Sequence, residues 1–369
     1  MNRIQLTRLS KMLFLVLFIL IIFSTGCRRD WLMFRYDPQR TGSIIKGDYS
    51  TSGKIIWKTK LEGKVFSSPS SNEDTVFIGS TDNNLYAIDM LSGKIKFTVK
   101  AGGDILSSPA VINKNVYFTS MDGTLYSIDT KTGKTNWTFH ATKGIVSSPA
   151  ISQGKIVFGG YDGFIYCVSE KNGKLLWSLQ VKGGVWSSPA INNGNVIISD
   201  TAGLIYKINL NKGEIVWIYD LTTSLNSSPL VYNERIYIGS MNGIMFCLSI
   251  IDGSVIWQYD TKKAIDSSPA IINNALVFGS WNGTIYGISP DDGTPIWQII
   301  TGKAVDATPA ISGNTVYIGS NDGILYALDI SSGNIQWSIQ LGSEISASCC
   351  MSKEGVIVAT TDGNLYLIK

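Results

Sequence analysis

The sequence predicts an all-β chain folded as an eight-bladed β-propeller of four-stranded antiparallel blades. Three forty-residue grids predict it. Trp57, Trp137, Trp177, Trp217, Trp257, Trp297 and Trp337 repeat every forty residues, with Phe97 in the one gap. Ser-Ser-Pro runs end at Pro69, Pro109, Pro149, Pro189, Pro229 and Pro269, continue as Ala307-Thr308-Pro309, and close as Ala347-Ser348-Cys349. Tyr86, Tyr126, Tyr166, Tyr206, Phe246, Tyr286, Tyr326 and Tyr366 form the third grid. Self-similarity at such a period marks a repeat architecture. The units show no 3.6-residue apolar pattern, which excludes a helical solenoid.

Each unit reads as four strands. In the second, Ile105 to Ile112 forms a strand around the proline, and Asn113-Lys114-Asn115 turns it. Val116 to Ser120 follows, and Asp122-Gly123 reads as a two-residue hairpin turn. Leu125 to Asp129 and Lys134 to Phe139 complete the unit. Runs such as Val76-Phe77-Ile78 and Ile236-Tyr237-Ile238 are apolar throughout, so both sheet faces are buried. Four-stranded sheets of this kind are propeller blades. Lys54 to Lys60 is a Trp strand with no unit before it, and the chain stops after a third strand. The first Trp strand therefore completes the last blade and removes the open edges.

The N-terminus reads as an export segment. Arg3 to Lys11 is basic, and Met12 to Phe23 is apolar without a break. Twelve helical residues reach ~18 Å against a bilayer core of ~30 Å, the length of a signal-peptide core. Ser24-Thr25-Gly26-Cys27 resembles a bacterial lipobox, with Ser24 where an aliphatic residue is commonest. Residues 1–26 are accordingly a lipoprotein signal peptide. Residues 27–53 are a lipidated Cys27, tether and lead-in, and 54–369 the propeller. Lys and Arg number 31 against 28 acids. Without Arg3, Arg8 and Lys11 the balance is 28 to 28, which gives nucleic acid no basic footprint.

The run Leu125 to Trp137, with its Thr132-Gly133-Lys134-Thr135-Asn136-Trp137, resembles the repeat of pyrroloquinoline quinone (PQQ) propellers. Leu325 to Trp337 and Leu85 to Phe97 are similar, and the likeness covers 54–369. It implies that the seven tryptophans dock neighbouring blades. It also points to two branches: quinoprotein dehydrogenases, and lipoproteins similar to the propeller subunit of the outer-membrane β-barrel assembly (Bam) machinery.

A working quinoprotein would need PQQ, a cation such as calcium, carboxylate and amide ligands, a base and a cationic donor. Arg235 is the one arginine between Trp57 and Lys369, in a turn on the face opposite the Asp-Gly turns. No Cys-x-x-Cys-His attaches haem, and His140 is the sole histidine. No loop outgrows its equivalents, whereas propeller enzymes carry chemistry on long loops. Cys349-Cys350 lies in a strand, where adjacent side chains point apart. Cys167 and Cys247 read as buried small residues, and Asp82, Asp122, Asp162, Asp322 and Asp362 as turn residues rather than a metal ring.

Function is expected where the repeat varies: before each Ser-Ser-Pro and before each hairpin turn. These positions place Tyr161, Trp186 and Trp281 at one channel mouth as aromatic surface, with Asp200, Asp266 and Asp306 as negative charge. The expectation is a non-catalytic, monomeric envelope lipoprotein without cofactor or metal that binds an envelope protein complex, such as the β-barrel assembly machinery. A PQQ- and calcium-dependent dehydrogenase is the alternative, and a polysaccharide or small-ligand binder a third. Arg28 stands where enteric inner-membrane lipoproteins carry Asp, so if the organism is Gram-negative the anchor is expected in the outer membrane, facing the periplasm.

Overall fold

Apolar runs bounded by turn residues every ten positions fold here into eight consecutive sheets. The computed structural model of the chain describes residues 32–44 and 51–369. The signal segment and Cys27 lie outside them. Blade 2 shows the pattern: Ala110–Ile112 innermost, then Asn115–Thr119, Thr124–Asp129 and Thr135–His140, each antiparallel to the last. Blades 1 and 3 to 7 follow the same forty-residue spacing. In blade 8, Cys350–Ser352, Gly355–Ala359 and Asn364–Ile368 are completed by Ile55–Lys60. Ile55 pairs with Ile368 and Thr59 with Leu365, so the ring is closed by its first long strand. Among the described residues no helix is long and apolar enough to cross a membrane.

The innermost strand is shorter than the sequence predicts. It starts at Ala110, because Pro109 has no N–H to give a ladder and the two serines before it are turned sideways. Ser68 N donates to Ser108 Oγ at 3.1 Å, Ser108 N to Ser148 Oγ at 2.9 Å and Ser148 N to Ser188 Oγ at 2.9 Å. The series continues through Ser228, Ser268 and Thr308, and Ser348 N returns to Ser68 Oγ at 3.0 Å. Ser-Ser-Pro thus supplies seven hydrogen bonds that run from blade to blade around the axis, and they satisfy buried backbone N–H groups between sheets.

The hairpin turns also differ from expectation. A two-residue turn of the primed type needs positive φ at both central residues. Here Gly123 alone has it, at 82°, and its N–H donates to Ser120 O at 3.0 Å. The loop is a type I turn followed by a left-handed residue, and Asn83 fills the glycine place in blade 1 at φ 68°.

The outer tryptophans join blades. Trp57 Nε1 donates to Met90 O at 2.9 Å, Trp217 to Ile250 O at 3.1 Å and Trp257 to Pro290 O at 3.0 Å, each reaching the following blade. Trp177 and Trp297 do the same with Leu210 O and Ile330 O, and Trp337 bonds Thr51 Oγ1. Each indole lies under a turn glycine of that next blade. A Cβ on Gly173 would stand 2.4 Å from Trp137, which explains why the repeat pairs this tryptophan with glycine.

Candidate functional site

The channel has two unlike ends. At the end bounded by the turns after the innermost strands, residues 32–44 run across the opening. Val111 N donates to Leu32 O, Ile191 N to Pro38 O, Val231 N to Gln39 O, Ile271 N to Thr41 O and Ile311 N to Gly42 O. Ser43–Ile44 then pairs in parallel with the innermost strand of blade 7. Arg35 and Arg40 are buried, 1% and 0% exposed. Arg40 Nε donates to Pro189 O at 2.9 Å, Nη2 to Ser148 O and Pro149 O at 3.3 Å, and Nη1 to Phe34 O. Arg35 Nη1 reaches Ser228 O at 3.5 Å. Burial lowers both guanidinium pKa values, that of Arg40 to about 9, while Asp37 pulls them up. Sequence reasoning missed this floor: the segment reads as a lead-in, and its one signal is two arginines flanking Asp37 ahead of the repeat.

The other end carries the varying positions. Trp186 and Trp281 are 43% and 47% exposed. Tyr161, before the turn of blade 3, meets Trp186, at the start of blade 4, edge to face with ring centroids 5.4 Å apart. Asp266, Asp306 and Trp281 gather at blades 6 and 7. Burial, then the charge of Asp306, raises the Asp266 pKa to about 6. Burial also raises that of Asp306, opposed by hydrogen bonds from Asn321 and Trp281. The Asn321 amide donates to Asp306 Oδ2 at 2.7 Å, while Asp306 Oδ1, Asn321 Oδ1 and Ser346 Oγ are buried without a protein partner. The structure therefore brings the six expected residues into two patches, with one departure.

Asp200 is that departure. It is fully buried, and its carboxylate accepts from Gly183 N at 3.0 Å, Ala202 N and Leu204 N at 3.0 Å, and Tyr206 OH at 2.9 Å. In blade 2, Asp122 holds the same groups: Gly102 N, Thr124 N and Tyr126 OH. Blade 4 has Ala202 where others have Asp or Asn, and Asp200 replaces the missing turn acceptor from two residues earlier. It is a turn residue and offers the mouth nothing.

Other candidates fall into structural roles. Asp82, Asp162 and Asp322 accept from the hydroxyls of Tyr86, Tyr166 and Tyr326. Cys167, Cys247, Cys349 and Cys350 are all buried, and burial pushes the Cys349 thiol up to about 12. His140 Nδ1 shares a 3.0 Å hydrogen bond with Thr124 Oγ1 on the exposed outer edge. Arg235 sits on the floor side, donating to Pro290 O at 2.8 Å. Among the described residues no group of three or more His, Cys, Asp or Glu side chains is arranged to hold a metal.

Eight blades, the blade-to-blade serine bonds and the Trp–Gly docking define the chain as a PQQ-repeat β-propeller. It belongs to the family whose model, described as the β-propeller of beta-alanine-activating enzyme, matches residues 41–235, just over half its length. A second model, described as outer membrane protein assembly factor BamB, matches residues 281–369. No curated protein sequence matches. Among solved structures, BamB from Moraxella catarrhalis superposes with a TM-score of 0.75 at 15% identity, over 86% of this chain and 99% of that one. The computationally designed protein Ika8 gives 0.77 at 17%, over 86% and 99%. Quinohemoprotein alcohol dehydrogenase from Comamonas testosteroni gives 0.81 at 14%, over 94% and 81%. At these identities the likeness is one of fold.

Proposed function

We propose that this chain is a non-catalytic envelope lipoprotein, anchored through Cys27, whose channel mouth binds a protein partner in outer-membrane protein assembly. The observation that carries the reading is the pair of exposed indoles, Trp186 and Trp281, at the two register positions of the rim where the repeat varies most. Exposed aromatics beside a few polar groups are what protein hot spots are made of. The match of residues 281–369 to the assembly-factor model supports the choice of partner class.

The dehydrogenase alternative is weaker on the chemistry of the mouth. PQQ carries carboxylates, and the acidic side of the mouth presents Asp266 and Asp306. Arg35 and Arg40, the arginines nearest the axis, are held in the floor by backbone carbonyls. Among the described residues no arginine lies at the mouth to hold the quinone carboxylates, and this supports the non-catalytic reading.

The test is capture of envelope proteins by the full-length lipoprotein and by its Trp186→Ala/Trp281→Ala variant. The expected result is a specific β-barrel assembly component retained by the wild type and weakened by ~2 kcal/mol in the variant, the scale of aromatic hot spots. Equal capture by both would remove the mouth from the interface, and calcium-dependent quinone turnover would replace the reading altogether.

A further inference from the structure

We propose that the floor face beneath blades 2 and 3 docks on an anionic phospholipid surface, so that the mouth points away from the membrane. The inference rests on anchoring through Cys27.

Geometry comes first. The Leu32 carbonyl is held by Val111 N on the innermost strand of blade 2, at the floor end of the channel. Leu32 is the fifth residue after Cys27, a reach of at most ~18 Å even if fully extended. An acyl chain on Cys27 therefore brings the floor of blade 2 close to the headgroups, and the mouth lies at the opposite end of the ring.

Charge makes the second argument. The floor consists of the turns after the first and third strands, which touch each other: Thr130 N donates to Lys114 O, and Glu170 N to Gly154 O. In blades 2 and 3 these turns carry Lys114, Lys131, Lys134, Lys155, Lys171 and Lys174 against Asp129 and Glu170, six positive and two negative, a net of +4. The matching turns of blades 5 and 6 carry Arg235 against Glu234, Asp252, Asp291 and Asp292, a net of −3. A neutral mature chain has sorted its charge across one face, and the positive side is where Leu32 emerges.

Pairing makes the third. Elsewhere on the floor three cations are paired, while among the described residues Lys94 and Lys353 make no ion pair. Lys96 lies 3.5 Å from Asp74 and 3.6 Å from Asp89, Lys212 3.5 Å from Glu214, and Arg235 3.3 Å from Asp291. Among the described residues, none of the six lysines of blades 2 and 3 makes an ion pair. Leu91, 70% exposed at the adjoining corner of blade 1, adds an apolar tip beside them. Lysines held within a Debye length of about 8–10 Å from anionic headgroups each strengthen partition roughly fivefold.

The experiment uses the full lipidated chain in vesicles of phosphatidylcholine, with or without phosphatidylglycerol, containing a lipid-borne quencher. Single fluorophores are placed by Asn136→Cys in blade 2 and by Ile296→Cys, its register equivalent in blade 6. With phosphatidylglycerol, the blade 2 label should be quenched several-fold more than the blade 6 label. High salt, phosphatidylcholine alone, or Lys131→Glu/Lys134→Glu/Lys171→Glu/Lys174→Glu should erase that difference while the chain still floats with the vesicles. Equal quenching of both labels, or a difference indifferent to lipid charge and salt, would overturn the docking and leave the anchor standing. A wild-type chain that fails to float with phosphatidylcholine would show the anchor reading at fault. The Cys27→Ser chain then decides the face alone: salt-sensitive sedimentation with phosphatidylglycerol vesicles supports it, and none refutes it.

Discussion

The two ends of one channel are made from the same eight repeats and behave as opposites. At the floor end the innermost strands keep one backbone geometry whatever their side chains, so a single irregular segment finds an equivalent backbone N–H on blades 2, 4, 5, 6 and 7 and bonds each in turn. At the mouth the same repeat supplies Leu106, Val146, Trp186, Asn226, Asp266 and Asp306 at one register position. Uniform inner-strand backbone lets thirteen residues of the chain itself, 32–44, run across that end of the channel. Variety at the mouth makes two unlike patches, one aromatic and one acidic. Repetition builds the scaffold, and its relaxation at one register builds the site.

The contrast breaks hardest at the floor. Deleting residues 32–44 should cost at least ~5 kcal/mol in denaturant unfolding, since each buried backbone hydrogen bond contributes about 1 kcal/mol net and the buried Met33 and Ile44 are lost too. A loss below ~2 kcal/mol would mean that the segment merely rests on the ring. Arg40→Ala should cost ~3 kcal/mol, because several buried carbonyls lose a charged donor. A neutral outcome would show that desolvation of the guanidinium had cancelled its hydrogen bonds.

Asp266 sharpens the comparison from the mouth side. Its folded pKa of about 6 lies above the unfolded carboxylate value, so between pH 4 and 6 the folded state holds the extra proton. That contribution to stability is present at pH 4 and is lost as pH rises through 6, by ~2 kcal/mol. Asp266→Asn should remove it, so the wild type minus variant difference in unfolding free energy should fall across that window and stay flat above it. A flat difference throughout would mean that the carboxylate is solvated. Smallest is Trp281→Ala, expected to cost under ~1 kcal/mol in stability because the indole is 47% exposed. A cost near that of a buried tryptophan, ~3–5 kcal/mol, would make Trp281 part of the core rather than the site.

Most of the architecture was legible because it rests on properties that repeat. Blade number, the closing strand and the place of the tryptophans follow from three grids without insertions. What was not legible depends on single atoms. The Ser-Ser-Pro grid announced itself, but only the structure shows its serines turned sideways to join sheets. Asp200 looked like a mouth carboxylate because nothing in its own position says that Ala202, two residues on, has lost the turn acceptor. Arg35 and Arg40 precede the repeat, where no periodicity could locate them. Trp186 and Trp281 were visible as departures from the repeat, though their split into two patches was not.

The pairing of Ile55–Lys60 with Asn364–Ile368 has a consequence for the order in which the chain is read. The seam in blade 8 uses the same register, with the same irregularity beside the tryptophan, as the corresponding outer-strand pairing of blade 3. The ring therefore has a seam but no privileged starting point. A rearranged gene that opens the chain at the exposed turn near Asn172 and joins Lys369 to Ser52 through a short linker should encode the same closed ring. The floor segment would not survive that rearrangement unless it were carried along as a separate strand of the new chain. The blades are interchangeable in their connectivity; the thirteen residues beneath them are not.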